Sequence, residues 1–194
     1  MISHITKFLD LSDKPFVIHP HPMKEELLSS WLIRVSIAHD TLPWSFMNMH
    51  FPEYHNISFS RDIDVWAPED MLRKLSIKSH FTYEQLYSLT LRSYIGDILP
   101  IFNPSGNNQY FSYIKVRGRS NKLYGQKYCP ICLSKDETPY FRKQWRLVCI
   151  TECIDHKTVL YDRCQKCKKP ISIYKFNKKN EGFTRCWNCG NRLY

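Results

Sequence analysis

The sequence predicts a mainly α-helical amino-terminal domain followed by two small modules of β or irregular structure, each held together by a cysteine cluster. Helical periodicity is confined to the first part of the chain, all eight cysteines lie beyond residue 128, and most of them form pairs separated by two residues. We therefore divide the chain into an extended lead-in, a helical domain and two cysteine-bearing modules, at residues 1–22, 23–110, 111–158 and 159–194.

The helical domain contains several stretches with one apolar face. Helices are predicted at residues 24–39, 42–51, 67–75 and 82–94. Thr82 and Gln85 fit a capping box at the start of the last helix. The short connection "SHFT" before this helix predicts a helix-turn-helix-like pair. The prolines of the lead-in favour extended backbone, so residues 1–22 are not expected to be helical.

No apolar run approaches the roughly 20 residues needed to cross a bilayer. The first residues also lack the charged, apolar and small-residue order of a signal peptide. We therefore expect a cytoplasmic protein without a membrane partner. In a reducing compartment, cysteine pairs at metal-ligand spacing indicate zinc rather than disulfides.

Two complete sets of four metal ligands can be counted, spaced C-x2-C-x20-C-x2-H and C-x2-C-x18-C-x2-C. Zinc favours four thiolate or imidazole ligands in a tetrahedron, and both sets leave no open position for water or substrate. We therefore expect two structural zinc ions per chain. The predicted ligands are Cys129, Cys132, Cys153 and His156 in the first set, and Cys164, Cys167, Cys186 and Cys189 in the second.

Cys149 belongs to neither set. We predict that it is a small buried hydrophobic residue. The alternative is a competing ligand in place of Cys153, although its four-residue offset fits the pair less well.

The excess of positive over negative charge lies entirely in the second part of the chain. The net charge is +10, but residues 1–110 hold 9 Lys and Arg against 12 Asp and Glu, whereas residues 111–194 hold 19 against 6. This split favours a polyanionic partner such as a nucleic acid backbone, with solubility alone as the alternative.

Basic residues alternate with aromatic ones in "SYIKVRGRSNKLYGQK" and "YFRKQWR", as in surfaces that contact phosphates. The first stretch is equally compatible with a solvated linker, and the apolar residues of the second are expected to pack on the metal core. The candidate contacts for nucleic acid or a protein partner are Lys115, Arg117, Arg119, Lys122, Lys127, Arg142, Lys143, Arg146, Lys168, Lys169, Lys178 and Lys179.

The segment "PHPMKEELLSSWLIR" resembles the opening of the TniQ family, the target-selection proteins of certain DNA transposons. That family has a proline-rich lead followed by a helix of the type E-S-L-x-S-W-L-x-R, and Leu27 departs from its usual serine. The matching residues are Pro22, Glu26, Leu28, Ser30, Trp31, Leu32 and Arg34.

The resemblance continues along most of the chain. "RDIDVW" and "YSLTL" are similar to a D-x-D segment and an "LTL" helix of the family. "YCPIC", "PYFRKQWRL" and "CIDHKTVL" are similar to its first zinc module, and "CQKCKKPI" to its second. The combination covers roughly residues 15–190 and is more specific than any one motif.

The resemblance implies a non-enzymatic adaptor of DNA transposition. Such proteins help to choose the insertion site and recruit the AAA+ ATPase regulator (TnsC-like) that activates the transposase. The chain ends five residues after Cys189, as in short forms that link an RNA-guided CRISPR effector to the ATPase. The implied partners are thus the ATPase, a targeting complex, DNA and guide RNA backbone in a prokaryotic cytoplasm. An amino-terminal part of a longer, TnsD-like, attachment-site-binding relative would have the same sequence features.

Two other functions are considered. A sequence-specific DNA-binding regulator needs a basic recognition helix, but the helix at 82–94 has only Arg92 near its end. An enzyme such as a nuclease would use the carboxylates of Asp62 and Asp64 to bind a catalytic metal. A deaminase would need an H-x-E motif, which Lys157 after His156 does not provide.

Overall fold

The computed structural model describes residues 11–54, 61–97, 108–112, 114 and 124–194, and helices dominate the first half of these. The α-helices are α1 (Leu28–Ala38), α2 (Pro43–His50), α3 (Ile63–Trp66), α4 (Glu69–Ser79), α5 (Tyr83–Ser88) and α6 (Pro130–Lys135). Single 3-10 turns lie at Pro52–Tyr54, Leu91–Tyr94, Lys143–Arg146, Ile173–Lys175 and Lys178–Asn180. In the described part of the chain, β-structure is limited to isolated antiparallel bridges. The prediction of a mostly helical chain with little strand is confirmed.

Helix α1 begins four residues later than its periodicity predicts. Glu25 adopts a left-handed conformation with φ 57°. A right-handed helix cannot include this conformation, so α1 cannot begin before it. The next residue, Glu26, is fully buried and turns its carboxylate toward the helix. The charged residues that extend the apparent pattern to residue 24 therefore form a turn ahead of α1.

Helices α4 and α5 are joined by residues 80–82, and α4 ends where His80 enters the left-handed region with φ 60°. The predicted capping box at Thr82 and Gln85 is present in full, so this helix start is confirmed. However, α5 ends at Ser88, and the chain continues as the separate 3-10 turn Leu91–Tyr94 rather than as one helix to residue 94. The helix-turn-helix-like arrangement stays a prediction.

Helix α1 is buried on every side, because it belongs to two hydrophobic cores. Leu28, Trp31 and Val35 pack in the core of the helical half with α2, α4 and α5. Leu27 and Ile33 pack in a second core with the cysteine-bearing half. One helix thus forms a wall of both cores.

The two cysteine-bearing modules share that second core. The rings of Phe141 and Phe183 lie 4.8 Å apart, and Phe183 lies 5.2 Å from Phe176. Phe141 belongs to the first module, whereas Phe176 and Phe183 belong to the second. Edge-to-face packing of these rings joins the modules side by side.

A buried carboxylate ties the start of α1 to the first module. Both carboxylate oxygens of Glu26 accept hydrogen bonds from the Arg34 guanidinium, at 2.9 and 2.7 Å. Glu26 also accepts a bond from Ser30 Oγ at 2.8 Å, and Ser30 Oγ in turn accepts one from the backbone N–H of Phe141 at 3.1 Å. This network fixes the helix against a segment more than 100 residues away in the sequence.

A second buried network joins α1, α3 and the turn Lys143–Arg146. Asp64 accepts hydrogen bonds from the backbone N–H and Oγ of Ser29, at 2.8 and 2.7 Å, and from Arg146 Nη1 at 3.2 Å. Arg146 also pairs with Asp62. Burial, and next the charge of Asp62, raise the pKa of Asp64 to about 7, whereas Arg146 and Ser29 act in the opposite direction. Arg146 is therefore the counter-charge that makes two neighbouring carboxylates tolerable in the interior.

Arg146→Met should destabilise the fold by about 3–5 kcal/mol at neutral pH, because it leaves Asp62 and the buried Asp64 without their cation. Chemical denaturation measures this loss. Arg185→Met is the matched control, since it breaks an exposed pair with Glu181 and should cost about 1 kcal/mol or less. Equal effects of the two substitutions would contradict the assignment.

His50 provides a pH-dependent contribution to stability. It is 4% exposed and packs against the rings of Phe16 and Phe46, at centroid distances of 5.0 and 4.5 Å. Burial and the nearby Lys78 ammonium lower the pKa of His50 from 6.5 to about 4. Between pH 6.5 and about 4, His50 is therefore protonated more readily in the unfolded chain than in the folded chain. The folding free energy falls as the pH is lowered through this range.

Lowering the pH from 8 to 5 should remove about 2 kcal/mol of folding free energy through His50 alone. His50→Leu should remove this component from the measured pH dependence. Acid also protonates the metal ligands, but it does so in both proteins, so the difference between their stability profiles isolates His50. Identical pH profiles of the two proteins would refute the prediction.

Candidate metal centres

The first predicted ligand set converges to one point. His156 Nδ1 lies 3.7, 3.3 and 3.6 Å from the sulfurs of Cys129, Cys132 and Cys153. The sulfurs of Cys132 and Cys153 are 3.6 Å apart. The three cysteines are buried and His156 is partly exposed.

The second predicted set also converges. Cys164 Sγ lies 3.7 Å from Cys189 Sγ, and Cys167 Sγ lies 3.8 Å from Cys186 Sγ. In each set the four ligand atoms lie within 4.8 Å of one another. This second site is nearer the surface, because Cys189 is exposed and Cys167 is partly exposed.

These separations fit the edges of a metal-centred tetrahedron. With zinc bond lengths of about 2.3 Å to sulfur and about 2.0 Å to nitrogen, tetrahedral edges are about 3.8 Å between sulfurs and about 3.5 Å between sulfur and nitrogen. A disulfide would bring two sulfurs to about 2.05 Å, and all eight cysteines are free. Both sites can therefore hold a metal ion.

Three of the four ligand pairs lie on hairpins with the same backbone geometry. In each, the residue after the second ligand has a positive φ, at Lys157, Lys168 and Gly190. Its N–H donates to the carbonyl of the first ligand, at 2.8, 2.9 and 3.0 Å. The tight turn points both ligand atoms to one side. Antiparallel bridges close the hairpins at Glu152–Val159, Arg163–Pro170 and Arg185–Arg192.

The remaining ligand pair uses a helix instead. Cys129 is the N-cap of α6, and its sulfur accepts a hydrogen bond from the N–H of Cys132 at 3.4 Å. Pro130 at the first helical position suits this start, since a helix leaves its first N–H groups unpaired. The "CPIC" sequence thus presents both sulfurs at the amino end of α6.

Burial raises the pKa of the thiols of Cys129, Cys132 and Cys186 above the ordinary value. Buried thiols resist ionisation without a cation, whereas a divalent metal stabilises them as thiolates. Each site has four protein ligands, so the chemistry that fits both is structural rather than catalytic.

Cys149 lies outside both clusters and is exposed. The prediction of a buried hydrophobic residue at this position is wrong. It follows the exposed Val148, and the chain turns outward here before the bridge at Glu152.

Four of the basic residues that were predicted to contact nucleic acid or a partner instead bind other groups of the same chain. Lys143 and Arg146 are 4% and 1% exposed. Lys143 Nζ donates to Ser93 Oγ at 2.9 Å, and Lys127 Nζ donates to the carbonyls of Leu147 and Ile150 at 3.0 and 2.8 Å. The guanidinium of Arg142 forms two hydrogen bonds to Asp136, at 2.9 and 2.8 Å, and covers the ring of Tyr140. These cations meet partners within the protein, which accounts for much of the basic character of "YFRKQWR".

The other predicted contacts divide into two groups. Lys168, Lys178 and Lys179 are exposed, and Lys169 is partly exposed. Lys115, Arg117, Arg119 and Lys122 lie outside the described residues.

The carboxylates considered for catalysis also have a structural role. Asp62 and Asp64 are paired with Arg146, and Asp64 is fully buried. The acidic pair of "RDIDVW" and the arginine of "YFRKQWR" are both visible in the sequence. That they lie side by side in the fold is not. No helix in the described part of the chain is long and apolar enough to span a membrane.

Comparison with known proteins connects these features to a family. No curated protein matches the chain. The model of the TniQ family matches residues 17–160, which include α1, both buried ionic networks and the first metal site, whereas the second metal site begins just after them. Because the match covers most of the 194 residues, the chain belongs to the TniQ family.

Proposed function

We propose that this protein is a non-enzymatic adaptor that links a targeting complex on DNA to the AAA+ ATPase regulator of transposition. Family membership supports a target-selection role in transposition in general. The observation that favours an adaptor over an enzyme is that the polar residues of the family motifs are buried in ion pairs and are not available for catalysis. Glu26, Arg34, Asp64 and Arg146 are all buried in networks that join the two cores.

We propose zinc as the ion in both sites. The ligand types, their spacing and the tetrahedral separations all suit zinc. The ions would supply folding free energy to modules that have little regular secondary structure.

The second module is the proposed contact for nucleic acid. Residues 161–194 hold nine Lys and Arg against two acidic residues, and both acids are paired with arginines, Asp162 with Arg163 and Glu181 with Arg185. Lys168, Lys169, Lys178 and Lys179 belong to this surface. A net positive surface of this kind suits contact with DNA or guide RNA backbone. An RNA-guided CRISPR effector is the proposed targeting complex, and the cytoplasm of a prokaryote the proposed location.

A sequence-specific DNA-binding regulator is less well supported. A recognition helix needs basic and amide side chains along an exposed face. Helix α5, "YEQLYS", has a single amide and no basic residue.

Elemental analysis should find about two zinc ions per chain. Cys153→Ser should lower the content to about one, whereas Cys149→Ser, its neighbour outside both clusters, should retain both ions. Loss of metal in Cys149→Ser, or one ion in the unsubstituted protein, would contradict the ligand assignment.

Chelation should lower the melting temperature of the whole chain and not of the second half alone, because α1 belongs to the core that contains both metal sites. Circular dichroism at 222 nm reports the helices, most of which lie in the first half. Retention of the full helical melting transition after complete metal removal would contradict this coupling.

The adaptor proposal predicts association with the ATPase of the same transposon. The purified proteins, mixed with ATP and duplex DNA, should form a complex with a dissociation constant of about 1 μM or tighter. Size-exclusion chromatography and electron microscopy detect this complex. Absence of association with ATP, ADP or no nucleotide would refute the adaptor function.

A further inference from the structure

An open cavity of about 710 Å³ lies on the first module, where the chain passes into the second. Its volume falls within the range of about 300–1,000 Å³ that is typical of small-molecule sites. Most of its lining is apolar, from Phe111, Val148, Val159 and Leu160. Polar groups are contributed by Ser112, Lys127, Thr151, Asp162 and Arg163.

The rim of this cavity is unusually apolar for a protein surface. Tyr124 is 72% exposed and Val159 is 62% exposed, and Val148 is also exposed. Tyr110 is exposed too, and its carbonyl accepts a hydrogen bond from the N–H of Val148 at 2.9 Å. Exposed apolar side chains gathered around a cavity indicate a binding surface.

The wall on the side of the second module is rigid. A Cβ at Gly125 would lie 1.9 Å from the carbonyl oxygen of Asp162 and 2.5 Å from the backbone nitrogen of Ile171, so only glycine fits. The N–H of Gln126 donates to the Ile171 carbonyl at 2.8 Å, and the N–H of Ile171 donates to the Asp162 carbonyl at 2.9 Å. Backbone contacts therefore fix this wall of the cavity.

The charged residues that line the cavity are Lys127, Asp162 and Arg163. Arg163 lines it and begins the hairpin of the second metal site, which then presents the exposed Lys166 and Lys168. The carboxylate of Asp162, a hydrogen-bond acceptor at the cavity, is held by Arg163 Nε at 2.9 Å. Because Asp162 and Arg163 largely neutralise each other, the positive charge at the cavity comes from Lys127 and from the nearby Lys166 and Lys168. An occupant with an apolar, planar part and an adjacent negative charge complements this arrangement.

We propose that the cavity accepts a base of an unpaired nucleotide, from single-stranded RNA or DNA, while Arg163 and the lysines of the second module contact its phosphates. The base would pack on Tyr124 and the apolar lining, as aromatic platforms do in proteins that bind single strands. Duplex bases are stacked and paired, so they cannot enter. This inference deepens the nucleic-acid contact proposed above and is independent of the ATPase.

Fluorescence anisotropy tests the proposal with labelled oligo-dT and oligo-U of about 20 nucleotides, which exceeds the site size of a small single-strand-binding module. A duplex of equal length is the comparison, at one fixed salt concentration. We expect the single strands to bind at least about 10-fold more tightly than the duplex. The ratio between oligo-U and oligo-dT shows which source of unpaired bases is preferred.

Two substitutions at exposed positions test the cavity itself. Tyr124→Ala should weaken single-strand binding about 5-fold to 100-fold, through lost stacking, and Val159→Asp should weaken it by a similar factor, by placing a negative charge at the rim. The matched controls are Trp44→Ala in α2 and Val17→Asp in the lead-in. Both positions are exposed and outside the cysteine-bearing modules, and both variants should bind as the unsubstituted protein does.

Equal or tighter binding of the duplex would overturn the proposal, and so would unchanged binding by both cavity variants. If Val159→Asp instead abolished association with the ATPase and left oligonucleotide binding intact, the cavity would be a protein-docking site. Association of the unsubstituted protein with the ATPase tests the adaptor function separately, so failure of one proposal is distinguishable from failure of the other.

Discussion

The fold depends on burying both sides of α1 at once. The helix packs against the helical core on one side and against the core of the metal modules on the other. Two buried ionic networks fix it in place: Glu26 with Arg34 near its start, and Asp64 with Arg146 beside Ser29. Because a buried charge without its partner is costly, a docking of the two halves that separated Asp64 from Arg146 would be strongly disfavoured.

The metal sites solve a different problem, that of ordering short hairpins with little apolar surface. In three hairpins, the residue after the second ligand has the same left-handed conformation. Isolated antiparallel bridges close these hairpins in place of longer strands. Loop segments of this kind are marginal without a cross-link, and an ion held by four ligands would add to the core that the two modules share. The rings of Phe141, Phe176 and Phe183 then add the packing that joins the two sites.

Local features of the sequence were predictable, whereas pairing over long distances was not. The ligand sets and the capping box at Thr82 depend on spacing within a turn, which the sequence displays directly. The late start of α1 and the burial of Arg146 depend on partners far along the chain; Arg146 meets Asp64 across 82 residues. A count of charges cannot tell a surface cation from one that neutralises an interior carboxylate, so "YFRKQWR" was predicted as a contact surface although much of it is internal.

The burial of the signature residues has a consequence for how relatives diverge. Substitutions of Glu26, Ser30, Arg34 or Arg146 should act through the assembly of the fold, since these side chains are enclosed within it. The exposed rim and the lysine-rich hairpins are free of that constraint and can change while the scaffold persists. Two proteins that share these buried residues can therefore have the same fold and differ in what their surfaces bind.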